Sequence, residues 1–399
     1  MIRTLLTTAT VLLGTLFVGS SMAADELQAP ETAPKIQLAI CLDTSGSMDG
    51  LINSARQKIW TIVNDLDRAT PTPELRIALL TFGNDGHAEA NGWVSIDVPF
   101  TEDLDLVSEK LFGLTTNGGT ELVGRVISQA TRELAWDKSE NTLRLVFVAG
   151  NESADQDTLV PFRKVCADAA AQGILVNSIY CARSGDDTEI PSGWREVASN
   201  AGGHYASIDQ EGTVVIATPF DEELTRLSSA LNVTYVPYGD KGVAGCGNQI
   251  AQDANATGLN AAAAAGRCVS KAGSNYDCSS WDLVDALANE TVKLAALESD
   301  KLPPVMAAMT LEEKQQYIQA KSRTRKALQD QVAVLDTQRS RYIEAELEKQ
   351  MAAGVESFDL AVRNAVRSQA GAKGFSFPNP APVPPIQKVE PVAKEMDGC

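Results

Sequence analysis

The apolar run Ile36-Gln37-Leu38-Ala39-Ile40-Cys41-Leu42 is followed directly by Asp43-Thr44-Ser45-Gly46-Ser47. A short apolar run that ends in turn residues is typical of a buried strand. A helix-like pattern begins near Leu51, so the order is strand, loop, helix. Ligands of open α/β sheets bind just beyond the carboxyl ends of the strands. Because carboxylate and hydroxyl oxygens suit hard cations, this stretch predicts a divalent-cation site at Asp43, Ser45 and Ser47.

Strand-like and helix-like segments alternate from Lys35 to about Asn232. Strands are predicted over residues 36–42, 76–82, 93–100, 143–148, 175–181 and 204–208, and helices over 51–66, 104–112, 122–135, 158–172, 194–201 and 220–231. Such alternation predicts an α/β fold with a mostly parallel central sheet flanked by helices. The third strand alternates in polarity, as an edge strand would. Residues 35–232 are therefore predicted to form one domain.

The sequence after this domain changes in character. Residues 233–300 are rich in Gly, Asn and Ala, which predicts a loop-rich and helical connector with a helix over 281–297. Thr310-Leu311-Glu312-Glu313 matches a capping box that opens a long charged segment. Residues 310–370 are predicted to form a long amphipathic helical region rather than a sustained coiled coil, because Arg325 and Arg339 interrupt its apolar stripe. The Pro-rich residues 376–399 are predicted to be a disordered tail.

The first 23 residues have the features of an export signal. Arg3 precedes an apolar stretch, and Ser21-Met22-Ala23 resembles a cleavage site for removal of the signal. The apolar stretch is shorter than the ~20 residues that a membrane-spanning helix needs. Residues 1–23 are therefore predicted to be a signal peptide, and the protein to be exported, either periplasmic or secreted.

The charge of the chain restricts its partners. Its 399 residues carry a formal net charge of −18. Nucleic-acid binding requires a basic surface, and anionic lipid surfaces would repel so acidic a protein. No segment after the signal is long and apolar enough to span a membrane. Neither a nucleic-acid partner nor a membrane span is predicted.

The chain has seven cysteines, and export makes disulfides chemically possible. Cys41, in a predicted buried strand, is expected to be a free thiol that packs as a small apolar side chain. The three cysteines Cys246, Cys268 and Cys278 lie close in sequence, so one bridge among them is expected. Because the count is odd, at least one thiol is unpaired, and Cys399 is the candidate.

The pattern Asp43-x-Ser45-x-Ser47 resembles the metal-ion-dependent adhesion site of von Willebrand factor A domains, as does Thr116-Asn117-Gly118-Gly119-Thr120-Glu121-Leu122. The resemblance covers residues 35–232 and implies a Rossmann-like sheet. It also implies that Thr120 contributes a hydroxyl to the ion and that a carboxylate of a protein partner completes the coordination sphere. The predicted cofactor is a divalent cation, Mg²⁺ first, with Ca²⁺ or Mn²⁺ as alternatives.

One position departs from this family's pattern. An aspartate is usual after the fourth core strand, but here Ala149 occupies that position. Glu152 is predicted to compensate as a ligand, with Asn151 and Asp155 also near in sequence. The alternative interpretation of the first motif is that Asp43 and Ser45 only cap the helix that follows.

The predicted function is a non-enzymatic, exported binding or adhesion-type module that engages a protein through the cation. A first alternative is a degenerate scaffold whose charged C-terminal helix mediates assembly without metal. A second is a metal-assisted hydrolase. Against the latter, His87 and His204 have no nucleophile beside them in sequence, and the chain lacks Gly-x-Ser-x-Gly and Gly-x-Gly-x-x-Gly turns.

Overall fold

The computed structural model describes residues 34–182, 193–209, 215–352 and 358–377. The predicted signal peptide and Cys399 lie outside these ranges. Of the tail predicted over residues 376–399, only Ser376 and Phe377 are described. Ser376 forms two backbone hydrogen bonds with Thr70, of 2.8 and 2.9 Å, so the prediction of disorder is wrong at this first residue.

A six-stranded sheet forms the centre of the fold, in the order β3-β2-β1-β4-β5-β6. Its strands are β1 Lys35–Asp43, β2 Glu74–Phe82, β3 Val94–Thr101, β4 Thr142–Gly150, β5 Ile174–Ala182 and β6 Tyr205–Asp209. All neighbours pair in parallel except β2 and β3, so the mostly parallel sheet is confirmed. The apolar run of β1 lies at the middle, where both faces of a parallel sheet are covered.

Helices cover both faces of the sheet. The first six are α1 Asp49–Asp67, α2 Leu104–Gly113, α3 Val123–Glu133, α4 Phe162–Ala171, α5 Trp194–Asn200 and α6 Asp221–Asn232. One apolar cluster joins the sheet to α1, α2 and α6, and another joins it to α3, α4 and α5. Helix α4 begins later than predicted because Asp157 Oδ1 accepts hydrogen bonds from the backbone N–H groups of Leu159 and Val160, which holds this segment in a turn.

The predicted loop-rich connector is largely helical. Helices α7 Gly242–Leu259 and α8 Ala261–Ala272 occupy it, so the prediction of loops from its Gly, Asn and Ala content is wrong. Asn260 caps α8 by accepting from the backbone N–H of Ala263. Helix α8 opens with a run of alanines, which have high helix propensity, and it packs against α1 and α6, whereas the Gly and Asn residues of α7 are weak helix formers.

The helix predicted over residues 281–297 is also shorter than expected. It is α9, Leu283–Ala288, and begins later because the Asp282 side chain accepts from the backbone N–H of Asp285. An aspartate at this position caps the first turn, so Trp281 and Asp282 lie outside the helix.

The long C-terminal helix is confirmed as α10, Leu311–Ala352, followed by α11, Phe358–Gly371. The capping box is formed, since Thr310 N–H donates to Glu313 Oε2 over 2.7 Å and Glu313 N–H donates to Thr310 Oγ1 over 3.3 Å. The two arginines in the apolar stripe are buried. Arg325 pairs with Asp282 at 2.8 Å, and Arg339 pairs with Asp221 at 2.9 Å. These arginines therefore attach α10 to the rest of the chain.

Helices α10 and α11 also hold the C-terminal half of α1. Arg68, directly after α1, contacts Asp336 of α10 at 2.6 Å, and Arg367 of α11 contacts Asp65 of α1 at 2.5 Å. Val332 of α10 is fully buried in the same apolar cluster as β1 and α1. The helical extension is thus part of the core that supports the first strand and helix.

The cysteines differ from expectation in one respect. Cys41 is a free buried thiol, as predicted. Cys268 and Cys278 are also free and buried, so no bridge exists among the three clustered cysteines, and that prediction is wrong. Burial among apolar side chains of the core explains why these two thiols behave as small hydrophobic groups. Across the described ranges, no helix is both long enough and apolar enough to cross a membrane.

Candidate metal centre

The candidate site lies where β1, β2 and β4 end at the same edge of the sheet. The loop after β1 is fixed by backbone hydrogen bonds. Thr44 N–H donates to Phe82 O over 2.8 Å, and Gly46 N–H donates to Gly118 O over 2.9 Å. Asn117 N–H donates to Thr44 O over 3.0 Å. These bonds bring together the two separate stretches of sequence that resemble a metal site.

Asp43, Ser45 and Ser47 lie side by side. Asp43 is fully buried, and its Oδ1 accepts from the Ser45 backbone N–H over 2.8 Å. The hydroxyl oxygens of Ser45 and Ser47 are 3.2 Å apart, and Asn151 Nδ2 donates to Ser47 Oγ over 3.1 Å. Helix α1 begins at Asp49 without a side-chain cap, so the alternative role of Asp43 and Ser45 as caps is excluded.

Glu121 is a member of the site that sequence reasoning missed. It is buried and its side chain converges with that of Asp43. A Cβ atom at Gly83 would lie 2.9 Å from Asp43 Oδ1 and 2.9 Å from Glu121 Cγ. Gly83 also has a φ of +77°, a conformation that favours glycine. The absence of a side chain at this position therefore lets the two carboxyl groups approach each other.

This proximity changes the acidity of both groups. Burial raises the pKa of Asp43 to about 6, although hydrogen bonds with Glu121 and Ser45 oppose the rise. Burial, followed by the negative charge of Asp43, raises the pKa of Glu121 to about 9. The charge of Glu152 raises both pKa values further. Two buried carboxylates this close require a proton or a cation between them.

The donor set fits a hard divalent cation. Asp43 Oδ2 and Glu121 Oε2 are buried, and unless the two side chains share a proton neither has a hydrogen-bond partner among the described residues. Buried polar atoms normally have hydrogen-bond partners, so two neighbouring buried oxygens without one indicate that a proton or a bound group belongs between them. Carboxylate and hydroxyl oxygens are the ligands of Mg²⁺ and Ca²⁺. No group of three or more Asp, Glu, His or Cys side chains suited to a metal occurs in these ranges, so the hydroxyls of Ser45 and Ser47 would have to complete the set.

Thr120 and Glu152 lie near this cluster of side chains, but their contacts differ from those of Asp43 and Glu121. Thr120 is half-buried beside Glu121, and its hydroxyl makes no hydrogen bond to any residue that the structure describes. The Glu152 side chain is exposed, while its carbonyl accepts from Trp194 Nε1 over 2.7 Å. The influence of Glu152 on Asp43 and Glu121 is therefore electrostatic.

At the end of β4, where the family resemblance implies an acidic residue, no side chain carries an oxygen atom. Ala149 is buried and pairs with Leu42 in the sheet. A Cβ atom at Gly150 would lie 3.1 Å from Asp43 Oδ2 and 3.2 Å from Trp194 Cη2. The end of β4 thus packs closely against Asp43 without contributing a carboxylate.

A second polar cluster, at the β2–β3 edge, does not have the arrangement of a hydrolase. Thr81 Oγ1 donates to Asp97 Oδ2 over 2.6 Å and lies 2.9 Å from His87 Nε2. Because the single hydroxyl proton goes to Asp97, His87 must donate to Thr81 and cannot act as its general base. Thr81 is also fully buried, which keeps substrates away from it.

Comparison with protein-family models agrees with this fold. The model of the von Willebrand factor type A domain family matches residues 37–219. No curated protein sequence matches the chain. Among solved structures, BatB from Bacteroides thetaiotaomicron is 18% identical with a TM-score of 0.34, covering 44% of this chain and 90% of BatB. The von Willebrand factor type A protein from Catenulispora acidiphila is also 18% identical with a TM-score of 0.35, covering 45% of this chain and 40% of its own.

A third similar structure is proximal thread matrix protein 1 from the mussel byssus, which was solved with a zinc-occupied MIDAS motif. It is 13% identical with a TM-score of 0.36, and the match covers 45% of this chain and 43% of that protein. The chain thus spans less than half of two of these three relatives. On the family match and the six-stranded sheet with its flanking helices, this chain contains a von Willebrand factor type A domain over residues 37–219.

Proposed function

We propose that this domain is an exported, non-enzymatic binding module that engages a protein partner through a divalent cation, most simply Mg²⁺. The observation that carries the proposal is the pair of buried orphan oxygens, Asp43 Oδ2 and Glu121 Oε2, beside the hydroxyls of Ser45 and Ser47. Such oxygens cost free energy unless a proton or a cation satisfies them. The export part of the proposal depends on residues 1–23.

The exposed side of the site gives a partner its approach. Gly46 and Gly119 are exposed in the two loops that meet here, and Ser47 is half-buried between them. The neighbouring Asp49 and Asp85 are exposed acids, and the whole chain carries a net charge of −18. An acidic partner residue would be repelled from this surface without a bound cation. With the cation in place, a carboxylate of the partner completes its coordination.

The packing of α10 argues against the alternative function, in which this helix mediates assembly without metal. Val332 and Leu335, which belong to the apolar stripe of this helix, are buried against the helix's own chain. Arg325 and Arg339 are engaged in buried ion pairs. Most of the stripe that would pair two chains in a coiled coil is therefore already covered. The exposed face of α10 remains available for contact with another chain.

Capture of partner proteins tests the proposed function. Immobilised protein is incubated with an extract of the exporting cell's envelope and medium, once in Mg²⁺ and once in EDTA. We expect the wild-type protein to retain partners in Mg²⁺ only, and Asp43→Ala and Thr120→Ala to retain none, because each removes an oxygen next to the ion. Asp330→Ala, which alters an exposed ion pair on α10, is the matched control and should behave as wild type.

Two outcomes would count against the proposal. Retention of the same proteins in EDTA would show that binding does not need the cation. Equal retention by wild type and Asp43→Ala in Mg²⁺ would show that the partner uses another surface.

A further inference from the structure

We propose that Glu121 is the second anionic ligand of the cation site and takes the place of the acid that is missing at Ala149. This inference rests on the proposed cation site and assigns a role to a residue that the resemblance does not. It makes the site a two-carboxylate centre, formed by Asp43 at the end of β1 and Glu121 in the loop before α3, and completed by the serine hydroxyls.

The loop that carries Glu121 is held in place from both sides. Asn84 Nδ2 donates to Thr115 O over 2.9 Å, and Gly118 O accepts from Gly46 N–H over 2.9 Å. Leu122, the next residue, is buried and anchors the other end of the turn. Between these anchors the Glu121 side chain is directed inward, with an exposed fraction of 4%.

No basic side chain neutralises the two carboxylates. Neither Asp43 nor Glu121 takes part in an ion pair within the ranges described. Arg125, on the neighbouring helix α3, is already paired with Asp157 at 3.1 Å. A buried carboxylate pair without a basic partner is otherwise very costly. The compensating group is therefore either a proton shared by the two side chains or a cation from solution, and a hard divalent cation matches the combined charge of two carboxylates.

This assignment separates the roles of Glu121 and Glu152. Glu121 Oε2 is buried and unpartnered, whereas the Glu152 side chain is exposed. A direct ligand contributes through a bond to the ion, while an exposed acid contributes only a screened charge. Removing the charge of Glu121 should therefore weaken the cation site far more than removing that of Glu152.

The structure provides an optical probe for this comparison. A Cβ atom added to Gly150 would lie within 3.2 Å of both Trp194 Cη2 and Asp43 Oδ2, so these two side chains are close together. A terbium ion at the site would therefore be close enough to Trp194 for sensitised luminescence. Mg²⁺ competition against bound terbium then measures the affinity of the site. Trp194→Phe should abolish the signal and keep the Mg²⁺-dependent rise in melting temperature.

The experiment compares Glu121→Gln with Glu152→Gln in the full chain. Loss of a group that supports a metal ligand typically lowers metal affinity by about 10–100-fold, and we expect at least this loss for Glu121→Gln. We expect less than about threefold for Glu152→Gln, because its charge is solvent-screened. Glutamine keeps the size of Glu121 and removes its charge, and a melting curve in EDTA checks that the variant folds. Glu121→Asp, which keeps the charge, should retain more affinity than Glu121→Gln.

The outcomes distinguish this inference from the proposed function. If wild type binds terbium and Mg²⁺ but folded Glu121→Gln binds them as tightly, Glu121 is not a ligand and the inference is overturned, while the cation site stands. If Glu152→Gln causes the larger loss, the role passes to Glu152. If wild type binds neither ion, both the inference and the proposed function fail.

Discussion

Truncation of the chain before Thr310 is expected to abolish cooperative unfolding of the remaining protein. The apolar cluster that contains β1 and α1 also contains buried side chains from α10, α11 and the residues just after them, namely Val332, Leu335, Val362, Val366 and Phe375. Each such side chain contributes about 1.5–3 kcal/mol when fully buried, so their loss costs on the order of 10 kcal/mol. The net stability of a folded protein is only about 5–15 kcal/mol.

The truncation also leaves buried charges without partners. Asp282 is fully buried and loses Arg325, and Asp221 is buried and loses Arg339. Removing one member of a buried ion pair typically costs about 3–5 kcal/mol. We therefore expect the fragment of residues 34–309 to be rapidly degraded in limited proteolysis and to show no cooperative melt by circular dichroism.

The full-length chain, treated in parallel, is the reference for this comparison. A fragment that melts cooperatively within about 5 °C of the full chain would contradict the expectation. Such a result would mean that α10 and α11 are attached to the sheet domain without supporting it.

Replacement of Arg267 by alanine is expected to be the most damaging single substitution of a charged residue. Its side chain is 1% exposed and contacts Asp105 at 2.6 Å and Asp253 at 2.9 Å. The guanidinium also lies between the rings of Trp60 and Tyr276, 4.7 and 4.9 Å from their centroids. The substitution removes the ion-pair partner of Asp105 and opens a cavity, while Asp253 keeps Lys271 at 2.6 Å, so we expect a loss of about 3–5 kcal/mol in the free energy of unfolding.

Urea denaturation measures this loss, with Arg226→Ala as the matched control. Arg226 pairs with Glu223 on the exposed surface of α6, and its side chain is half exposed. Exposed pairs contribute about 0–1 kcal/mol, so this variant should unfold almost as wild type does. If both arginine variants lose the same small amount, the buried network around Arg267 does not stabilise the packing of α8 on α1.

Much of the fold follows from local sequence signals. The apolar run of β1, the helical spacing of α1 and the capping box at Thr310 each depend on neighbouring residues, and each is found where predicted. Helices α7 and α8 lie where loops are predicted. Gly and Asn are weak helix formers in α7, but Asn260 and the alanine run that follows it are local helix signals that the prediction did not use. The buried roles of Arg325 and Arg339 depend on acids brought close by the fold.

The candidate site likewise contains residues that the local sequence indicates and one residue that it does not. The strand–loop pattern around Asp43, Ser45 and Ser47 indicates their shared position, and the structure brings them together. Glu121 could not be identified from sequence, because its inward direction depends on the open space at Gly83, directly after β2. An acidic residue directly after the predicted ligand Thr120 was the available signal. Whether Thr120 and Glu152 contact the ion stays a prediction.

The central claim is that Asp43 belongs to a divalent-cation site, and calorimetric titration of EDTA-stripped protein with Mg²⁺ tests it most directly. We predict a single saturable site in wild type and a melting temperature that rises with Mg²⁺, since a ligand that binds the folded state stabilises it by RT ln(1 + [L]/Kd). Asp43→Ala should show neither effect. Saturable Mg²⁺ binding by Asp43→Ala as tight as that of wild type, or no binding by wild type at millimolar Mg²⁺, would contradict the claim.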